Sequence, residues 1–268
     1  MTAAIIVEAR MGSRRLPGKH MRPLLGKPMV VRMLERLMRS KKADVICLAT
    51  TERPEDEVLE HWALDLGLAC YRGSVDDVLG RVLAAARSVG ADVIAEITGD
   101  CPLADAALID QAIDRHSVGD ADYVANILDR LTYPVGFDVQ VYPTDLLAEV
   151  DRLCSDPDQR VDVTPYIYGH GETFRLVNLD APEALRRPAY RLCVDYPEDF
   201  AVIEQVFRAL YPSNPTFGVV DIIGFLDQQQ ALATSNLFMP NALACPSSAG
   251  HALHETAPVS GMDTRQAS

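Results

Sequence analysis

The segment from residue 9 to residue 19 concentrates side chains that bind phosphate. Its residues with this chemistry are Arg10, Gly12, Ser13, Arg14, Arg15, Gly18 and Lys19. Arginine presents paired N–H donors to phosphate oxygens, and lysine supplies a compact positive charge. Glycine lets the backbone approach a ligand closely. The segment predicts an anion site, but it has neither the G-x-G-x-x-G nor the G-x-x-x-x-G-K-S/T pattern. A solvated basic loop without a ligand is the alternative.

Two aspartates follow predicted strands further along the chain. Asp100 lies beyond the strand predicted at residues 92–97, and Asp195 lies directly after the strand predicted at residues 190–194. Carboxylate oxygens suit Mg²⁺, which keeps several waters and binds substrate phosphates. If the two strands are neighbours, both carboxylates can bind one metal ion. An ordinary helix N-cap is the alternative for Asp195.

Strands and helices alternate in the first half of the chain. Apolar patterning and turn residues predict strands at residues 4–8, 45–50, 68–71 and 92–97, and helices at residues 28–40, 54–66, 75–89 and 105–116. This alternation is typical of βαβ units around a parallel sheet with helices on both faces. Such folds bind ligands at the carboxyl edge of the sheet. We expect the basic segment and Asp100 at that edge, because both follow strands.

The pattern loosens beyond residue 121 and indicates mixed or antiparallel strands. The predicted strands are residues 123–126, 137–142, 174–179 and 190–194, and the predicted helices are residues 144–153, 161–168 and 197–210. Residues 237–268 show no apolar periodicity and are predicted to be a disordered tail. The chain is therefore interpreted as one mixed α/β domain followed by a tail.

The net charge of −13 hides an uneven distribution. Residues 10–42 contain eleven Lys or Arg and a single acid, Glu35. A basic patch in an acidic protein favours a small anionic ligand over nucleic acid, because nucleic-acid binding needs many neutralised phosphates.

Other features of the composition indicate a cytoplasmic protein without a membrane partner. The six cysteines have no metal-binding spacing, which is typical of reduced thiols. No apolar run approaches the length of a membrane span, and the first residues lack the basic region of a secretory signal.

Blocks of residues in a fixed order resemble the cytidylyltransferase family of the spore-coat polysaccharide protein SpsF. That family is related to the synthetases of CMP-sialate and CMP-KDO. The blocks are ARMGS and RLPGK within residues 9–19, GKPM at 26–29, RGS and DDVL within 72–79, TGDCPL at 98–103, TYP, G and DV within 132–139, VTPYI at 163–167, and VD and PED within 194–199.

The resemblance implies a GT-A-like, Rossmann-type α/β nucleotidyltransferase fold, with a mixed, mostly parallel sheet flanked by helices. It also implies CTP as donor, Mg²⁺ as cofactor and a homodimer. It divides the domain, residues 1–236, into a nucleotide-binding half at 1–120 and an acceptor-binding and dimerisation half at 121–236.

Residue roles follow from the same resemblance. Arg10, Lys19 and Asp100 would be catalytic, the first two by holding the triphosphate, and Asp100 and Asp195 would bind the metal ion. Further nucleotide contacts are expected from Ala9, Arg72, Ser74, Thr98 and Gly99, and the chemistry of the basic segment adds Gly12, Ser13 and Arg14. Ala9 and the turn at residues 72–74 would lie near the nucleobase. The acceptor side would be lined by Tyr133, Asp138, Thr164 and Tyr166.

The implied reaction transfers CMP from CTP to an acidic sugar of the nonulosonate or 2-keto type, or to a related anionic acceptor, and releases pyrophosphate. The chain departs from the family pattern in that Glu8 replaces a usual Gln, Arg14 a usual Thr, Val161-Asp162 a frequent Glu-His and Leu192 a frequent aromatic. These departures leave the acceptor open.

Three alternatives remain: a phosphonate cytidylyltransferase, a GT-A glycosyltransferase and a non-catalytic nucleotide-binding protein. A glycosyltransferase usually carries an Asp-x-Asp motif at a strand end, whereas residues 120–122 precede a strand. No general base is identified, because His20 and His170 are expected at the surface.

Overall fold

Short apolar runs form the strands, and amphipathic segments between them form the helices. The computed structural model describes residues 1–128 and 130–239. The strands are β1 (Ala3–Glu8), β2 (Pro23–Leu24), β3 (Lys27–Pro28), β4 (Val45–Thr51), β5 (Ala69–Gly73), β6 (Val93–Thr98), β7 (Tyr123–Ala125), β8 (Gln140–Pro143) and β9 (Leu176–Asn178). The helices are α1 (Met29–Leu37), α2 (Glu57–Asp65), α3 (Val78–Ser88), α4 (Ala106–Ser117), α5 (Thr144–Leu153), α6 (Pro157–Arg160), α7 (Pro165–Gly169), α8 (Pro197–Leu210), α9 (Val219–Gln228) and α10 (Gln230–Ala233).

Seven strands form one sheet in the order β5-β4-β1-β6-β8-β7-β9. Strands β5, β4, β1 and β6 are parallel, β8 is antiparallel to both of its neighbours, and β7 pairs parallel with β9. The predicted mixed, mostly parallel sheet is therefore confirmed. A separate ribbon formed by β2 and β3 was not predicted.

Alternation along β1 shows how the sheet separates two cores. Ile5 and Val7 face a core that includes α1, α4, α8 and α9, whereas Ala4 and Ile6 face a core that includes α3 and α5. Because both faces are covered, the strand is apolar throughout rather than alternating apolar and polar. The first polar side chain, Glu8, appears where the strand reaches the edge of the sheet.

The carboxyl ends of β1 and β6 meet at that edge. Glu8 is paired with Thr98 in the parallel register, and the Gly99 N–H donates to the Glu8 carbonyl at 2.8 Å. This register places the segment after β1 beside the segment containing Asp100, as the alternating pattern predicts.

Several predicted elements differ from the structure. The prediction of a strand at residues 190–194 is wrong, because these residues make only a single isolated β-bridge, between Arg191 and Val135. Strand β8 begins later than predicted, since the Asn126 side chain binds the backbone of Phe137 and Val139. The helix predicted at residues 161–168 is shorter, and α9 and α10 were not predicted. Of the predicted tail, residues 240–268 lie outside the described residues.

No helix in the described part of the chain is long and apolar enough to cross a membrane.

Candidate active site

The segment after β1 is held at its start by hydrogen bonds from two backbone N–H groups. The Ala9 N–H donates to the Ala49 carbonyl at 3.3 Å, and the Met11 N–H donates to Asp56 Oδ1 at 2.6 Å. Gly18 has φ of 67°, a conformation that glycine adopts readily, and a single 3₁₀ turn begins at Lys19. That turn directs Lys19 and His20 into the protein, where both are buried.

Lys19 links the two aspartates predicted to bind metal. Its Nζ donates to the Val194 carbonyl at 2.6 Å and contacts Asp195 Oδ1 at 3.1 Å and Asp100 Oδ2 at 3.4 Å. The Val194 N–H in turn donates to the Asp100 carbonyl at 2.8 Å. The two carboxylates are therefore neighbours because of a backbone crossing and Lys19, and the adjacent strands on which the prediction depended are not formed.

Cations surround Asp195, which is almost completely buried. Besides Lys19, Arg15 Nη2 lies 2.7 Å from Asp195 Oδ1, and Arg191 Nη2 lies 3.5 Å from Oδ2. Arg191 also binds Asp199 at 2.8 Å, and Asp199 accepts from the N–H groups of Asp195 and Tyr196. This network balances the charge of a buried carboxylate, which would destabilise the folded protein if it had no partners.

Asp100 is the more accessible of the two carboxylates. Burial by itself raises the pKa of Asp100, but the positive charge of Lys19 and a hydrogen bond from Thr98 outweigh burial, so the net pKa lies below the ordinary value. The group is therefore ionised at neutral pH, as a metal ligand must be.

The larger cavity at this edge has a volume of about 480 Å³. Ten residues predicted to contact nucleotide or metal line it: Ala9, Arg10, Gly12, Ser13, Arg14, Lys19, Thr98, Gly99, Asp100 and Asp195. The remaining lining residues were not predicted as contacts: Glu8, Arg15, His20, Val78, Arg81, Val161 and Asp162. The volume suits a nucleotide-sized ligand.

A smaller cavity of about 140 Å³ shares a wall with the large one. The residues common to both are Thr98, Asp100, Asp162 and Asp195. The predicted acceptor residues Asp138 and Thr164 line the small cavity, together with Gln140, which accepts from Thr164 Oγ1 at 2.6 Å.

A glycine fixes the approach of Asp138 to the segment before Asp195. Gly136 has φ of 101°, and a Cβ there would lie 2.5 Å from the Leu192 carbonyl carbon. Burial raises the pKa of Asp138 to about 7, and the one hydrogen bond to its carboxylate from the described residues is long, from the Gly136 N–H at 3.4 Å. The Asp138 carboxylate therefore lies in the small cavity with few protein hydrogen bonds to offset the loss of water around it.

Four residues predicted to contact substrates lie outside both cavities. Arg72 binds the carbonyls of Thr51 and Arg53 and the carboxylate of Glu60. The other three are Ser74, whose carbonyl accepts from Arg81, Tyr133, which is buried in the core, and Tyr166, which stacks on His170 with ring centroids 4.2 Å apart. Their predicted substrate contacts stay predictions.

The expectation that His20 is a surface residue is wrong. Only 3% of His20 is exposed, and it lies in the wall of the large cavity. Burial lowers its pKa to about 4, and the charge of Lys19 adds to the effect, so the ring is neutral at pH 7. The signal in the sequence was the glycine before Lys19, which allows the chain to turn inward. His170 is partly buried, with Nδ1 2.7 Å from the Tyr166 carbonyl.

The donor set fits a metal ion that arrives with a nucleotide. No group of three or more His, Cys, Asp or Glu side chains in the described residues is arranged to hold a metal. Asp100 and Asp195 supply two carboxylates, and Mg²⁺ in nucleotide sites is commonly bound by one or two carboxylates, phosphates and water.

Comparisons with known proteins show the family to which the chain belongs. A model of the cytidylyltransferase family matches residues 4–235. The chain belongs to the cytidylyltransferase family. The spore coat polysaccharide biosynthesis protein SpsF of Bacillus subtilis is 33% identical over 234 residues, 85% of this chain and 95% of that protein. A 3-deoxy-manno-octulosonate cytidylyltransferase of Trichlorobacter lovleyi is 35% identical over 116 residues, 42% of this chain and 44% of that protein.

Solved structures show the same fold. A cytidylyltransferase from Leptospira borgpetersenii superimposes with a TM-score of 0.82 at 30% identity, covering 87% of this chain and 97% of that one. A CMP:2-keto-3-deoxy-manno-octonic acid synthetase complexed with CTP gives a TM-score of 0.61 at 17% identity, covering 78% of this chain and 99% of that one. The predicted nucleotidyltransferase fold, family and enzyme class are thus confirmed.

Proposed function

We propose that this cytidylyltransferase transfers CMP from CTP to a sugar acceptor in a Mg²⁺-dependent reaction that releases pyrophosphate. The observation that carries the proposal is the position of Lys19, Asp100 and Asp195. They lie where a large cavity rich in cations meets a smaller cavity lined by carboxylates.

The large cavity is the place for the triphosphate. Arg10, Arg14, Arg15 and Lys19 surround it and would neutralise the phosphates and the departing pyrophosphate. Fixed cations around a phosphoryl group lower the barrier by stabilising charge that develops in the transition state. Asp100 and Asp195 would hold Mg²⁺, which supplies charge neutralisation at the phosphates. Lys19 Nζ, now between the two carboxylates, would then contact phosphate oxygens.

The small cavity is the place for the acceptor. Asp138, Gln140 and Thr164 offer hydrogen-bonding groups to its hydroxyls. An acceptor oxygen attacks the α-phosphorus of CTP, the bond from that phosphorus to the β-phosphate oxygen breaks, and pyrophosphate leaves with the electron pair. This arrangement supports the division into a nucleotide-binding half at 1–120 and an acceptor half at 121–236.

The acceptor class proposed from the relatives is an acidic sugar of the 2-keto type, and the SpsF relative suggests a role in polysaccharide synthesis. The small cavity also favours a second class, neutral sugars. Its one cation among the described residues, Arg191, is engaged by Asp199 and Asp195. A sugar carboxylate would have to bind outside the acidic lining. The homodimer and the cytoplasmic location stay predictions.

The test is pyrophosphate release from CTP and Mg²⁺ with a panel of acidic sugars, neutral sugars and phosphonates, with the product identified by mass. Asp100→Ala is expected to lower turnover by about 100-fold or more, since it removes a group that acts on the reacting phosphates. Asp65→Ala, an exposed aspartate on α2, is the matched control. Activity of Asp100→Ala within about threefold of wild type would contradict the metal-binding role of Asp100. Product formed from a nucleotide sugar without CTP would favour a glycosyltransferase.

A further inference from the structure

One part of the large cavity wall has a mixed charge that does not suit phosphate. It consists of Glu8 at the end of β1, Val78 and Arg81 on α3, and Val161 and Asp162 beyond α6. None of these side chains forms an ion pair or hydrogen bond with Lys19 or Asp195 within the described residues. Two carboxylates next to one guanidinium repel a polyphosphate, so another part of the ligand must face this wall.

Arg81 is a buried cation with unused donors. Only 3% of it is exposed, and its Nη1 donates to the Ser74 carbonyl at 2.6 Å. Its Nε has no hydrogen-bond partner, and Nη2 makes no hydrogen bond to any described residue. Buried donors in folded proteins are nearly always satisfied, so a guanidinium of this kind at a cavity indicates a ligand that accepts hydrogen bonds.

Glu8 supplies an acceptor at the same wall. Its carboxyl lies beside Glu96. Arg81 and Glu8 attract each other electrostatically but form no direct ion pair in the described part of the chain. Tyr142 Oη donates to Glu96 Oε2, and the other Glu96 oxygen has no donor within reach. Because Glu96 Oε1 makes no hydrogen bond to a described residue, the Glu8 carboxyl keeps its oxygens for a donor on the ligand.

The polar edge of cytosine matches this pair. Cytosine presents an exocyclic amino donor, and the adjacent N3 and O2 atoms are acceptors. Uracil presents O4, an acceptor, in place of the amino group and an N–H at position 3. A carboxylate beside a guanidinium therefore complements cytosine and opposes uracil. Val78 and Val161 add apolar surface suited to a ring, and Val161 is 58% exposed, so a bound base would cover it.

We infer that Glu8 and Arg81 select cytosine, with Glu8 accepting from the 4-amino group and Arg81 donating to N3 and O2. The inference rests on the proposed use of CTP and assigns base selection to this wall. The turn at residues 72–74, expected near the nucleobase, would then act by supplying the Ser74 carbonyl that holds Arg81.

The test is equilibrium binding of three nucleotides in the presence of Mg²⁺. They are CTP, UTP and the pyrimidin-2-one analogue of CTP, which lacks the 4-amino group. Glu8→Ala is expected to weaken CTP binding about tenfold, because CTP loses a hydrogen bond, and to leave the analogue within about twofold of wild type. The same change is expected to strengthen UTP binding, because the repulsion between the carboxylate and O4 is removed. Glu8→Gln is expected to bind CTP with an affinity between those of wild type and Glu8→Ala, since its amide can accept or donate a hydrogen bond.

Arg81→Lys is expected to weaken the binding of all three nucleotides, because the hydrogen-bond acceptor O2 is common to them. Glu172→Gln, an exposed carboxylate near α7, is the control and should change none of the affinities. The Glu8 assignment is overturned if folded Glu8→Ala keeps the wild-type preference for CTP over the analogue. The Arg81 assignment is overturned if Arg81→Lys binds all three normally.

These outcomes separate this inference from the proposed function. If wild type binds CTP and releases pyrophosphate but Glu8→Ala discriminates normally, the function stands and the assignment to Glu8 fails. If wild type shows no preference for CTP over UTP, cytosine selection fails even where transfer activity is found.

Discussion

The two cavities have opposite electrostatic character although they share a wall. The large cavity is lined by Arg10, Arg14, Arg15, Lys19 and Arg81 against four acids, whereas the small cavity has four aspartates against one arginine already bound to carboxylates. A polyanion is thus drawn to one side and repelled from the other.

The shared wall explains what this difference accomplishes. Asp100 and Asp195 contribute to both cavities, and Lys19 contacts each of them. The same carboxylates can therefore act on the nucleotide phosphates and on the nucleophile that approaches from the small cavity. Under the proposed function, charge would separate the two substrates, and the common residues would bring their reacting atoms together.

The largest expected effect comes from removing the cation that contacts both Asp100 and Asp195. Lys19→Ala is expected to lower the turnover number for pyrophosphate release by about 100- to 1000-fold, because it removes a fixed charge at the leaving group. Lys41→Ala, an exposed lysine in the same basic stretch, is the control. A loss below about tenfold would mean that Lys19 only balances Asp195 and Asp100.

A smaller effect is expected from a substitution in the small cavity, which is lined by aspartates. Asp138→Asn is expected to raise the KM for the acceptor by about tenfold, because an amide replaces a carboxyl group that accepts hydrogen bonds from it, and to leave the Kd for CTP unchanged. The two constants are measured separately, by initial rates and by CTP titration. Asp145→Asn, exposed on α5, is the matched control. If the Kd for CTP changes and the KM does not, the two cavities do not separate the substrates as described.

The smallest effect concerns stability at the mixed-charge wall. Burial raises the pKa of Glu8 to about 7, the negative charge of Asp162 adds to the effect, and Glu96 has a raised pKa for the same main reason. Because the folded-state pKa is above the unfolded value, folding of wild type is penalised as pH rises from about 4.5 to about 7.

Glu8→Gln removes this penalty. Its melting temperature should exceed that of wild type by about 2 to 6 °C at pH 8 and by much less at pH 5, with Glu172→Gln unchanged at both. A difference that does not grow with pH would show that Glu8 is not the titrating group.

Much of the fold and part of the site follow from local sequence. The first four parallel strands were predicted because buried strands between helices leave a simple pattern of apolar runs and turns. The basic segment after β1 and Asp100 after β6 could be placed at one edge for the same reason, since β1 and β6 proved to be neighbours. The pairing of Asp100 with Asp195 could be proposed only on the condition that their strands are neighbours, and no local pattern shows which strands are neighbours.

The sequence by itself determined the alternating α/β order, the cation-rich segment and the family to which the chain belongs. Only the tertiary structure decided that Asp195 reaches Asp100 through Lys19 and a backbone crossing, that His20 is buried, and that Arg72 lies outside the cavity while Arg81 lines it. The physical reason is that spacing along a strand or helix fixes which residues share a face. Burial, charge balance and the alignment of donors with a cavity depend on segments far apart in the chain, and those meet only when the chain is folded.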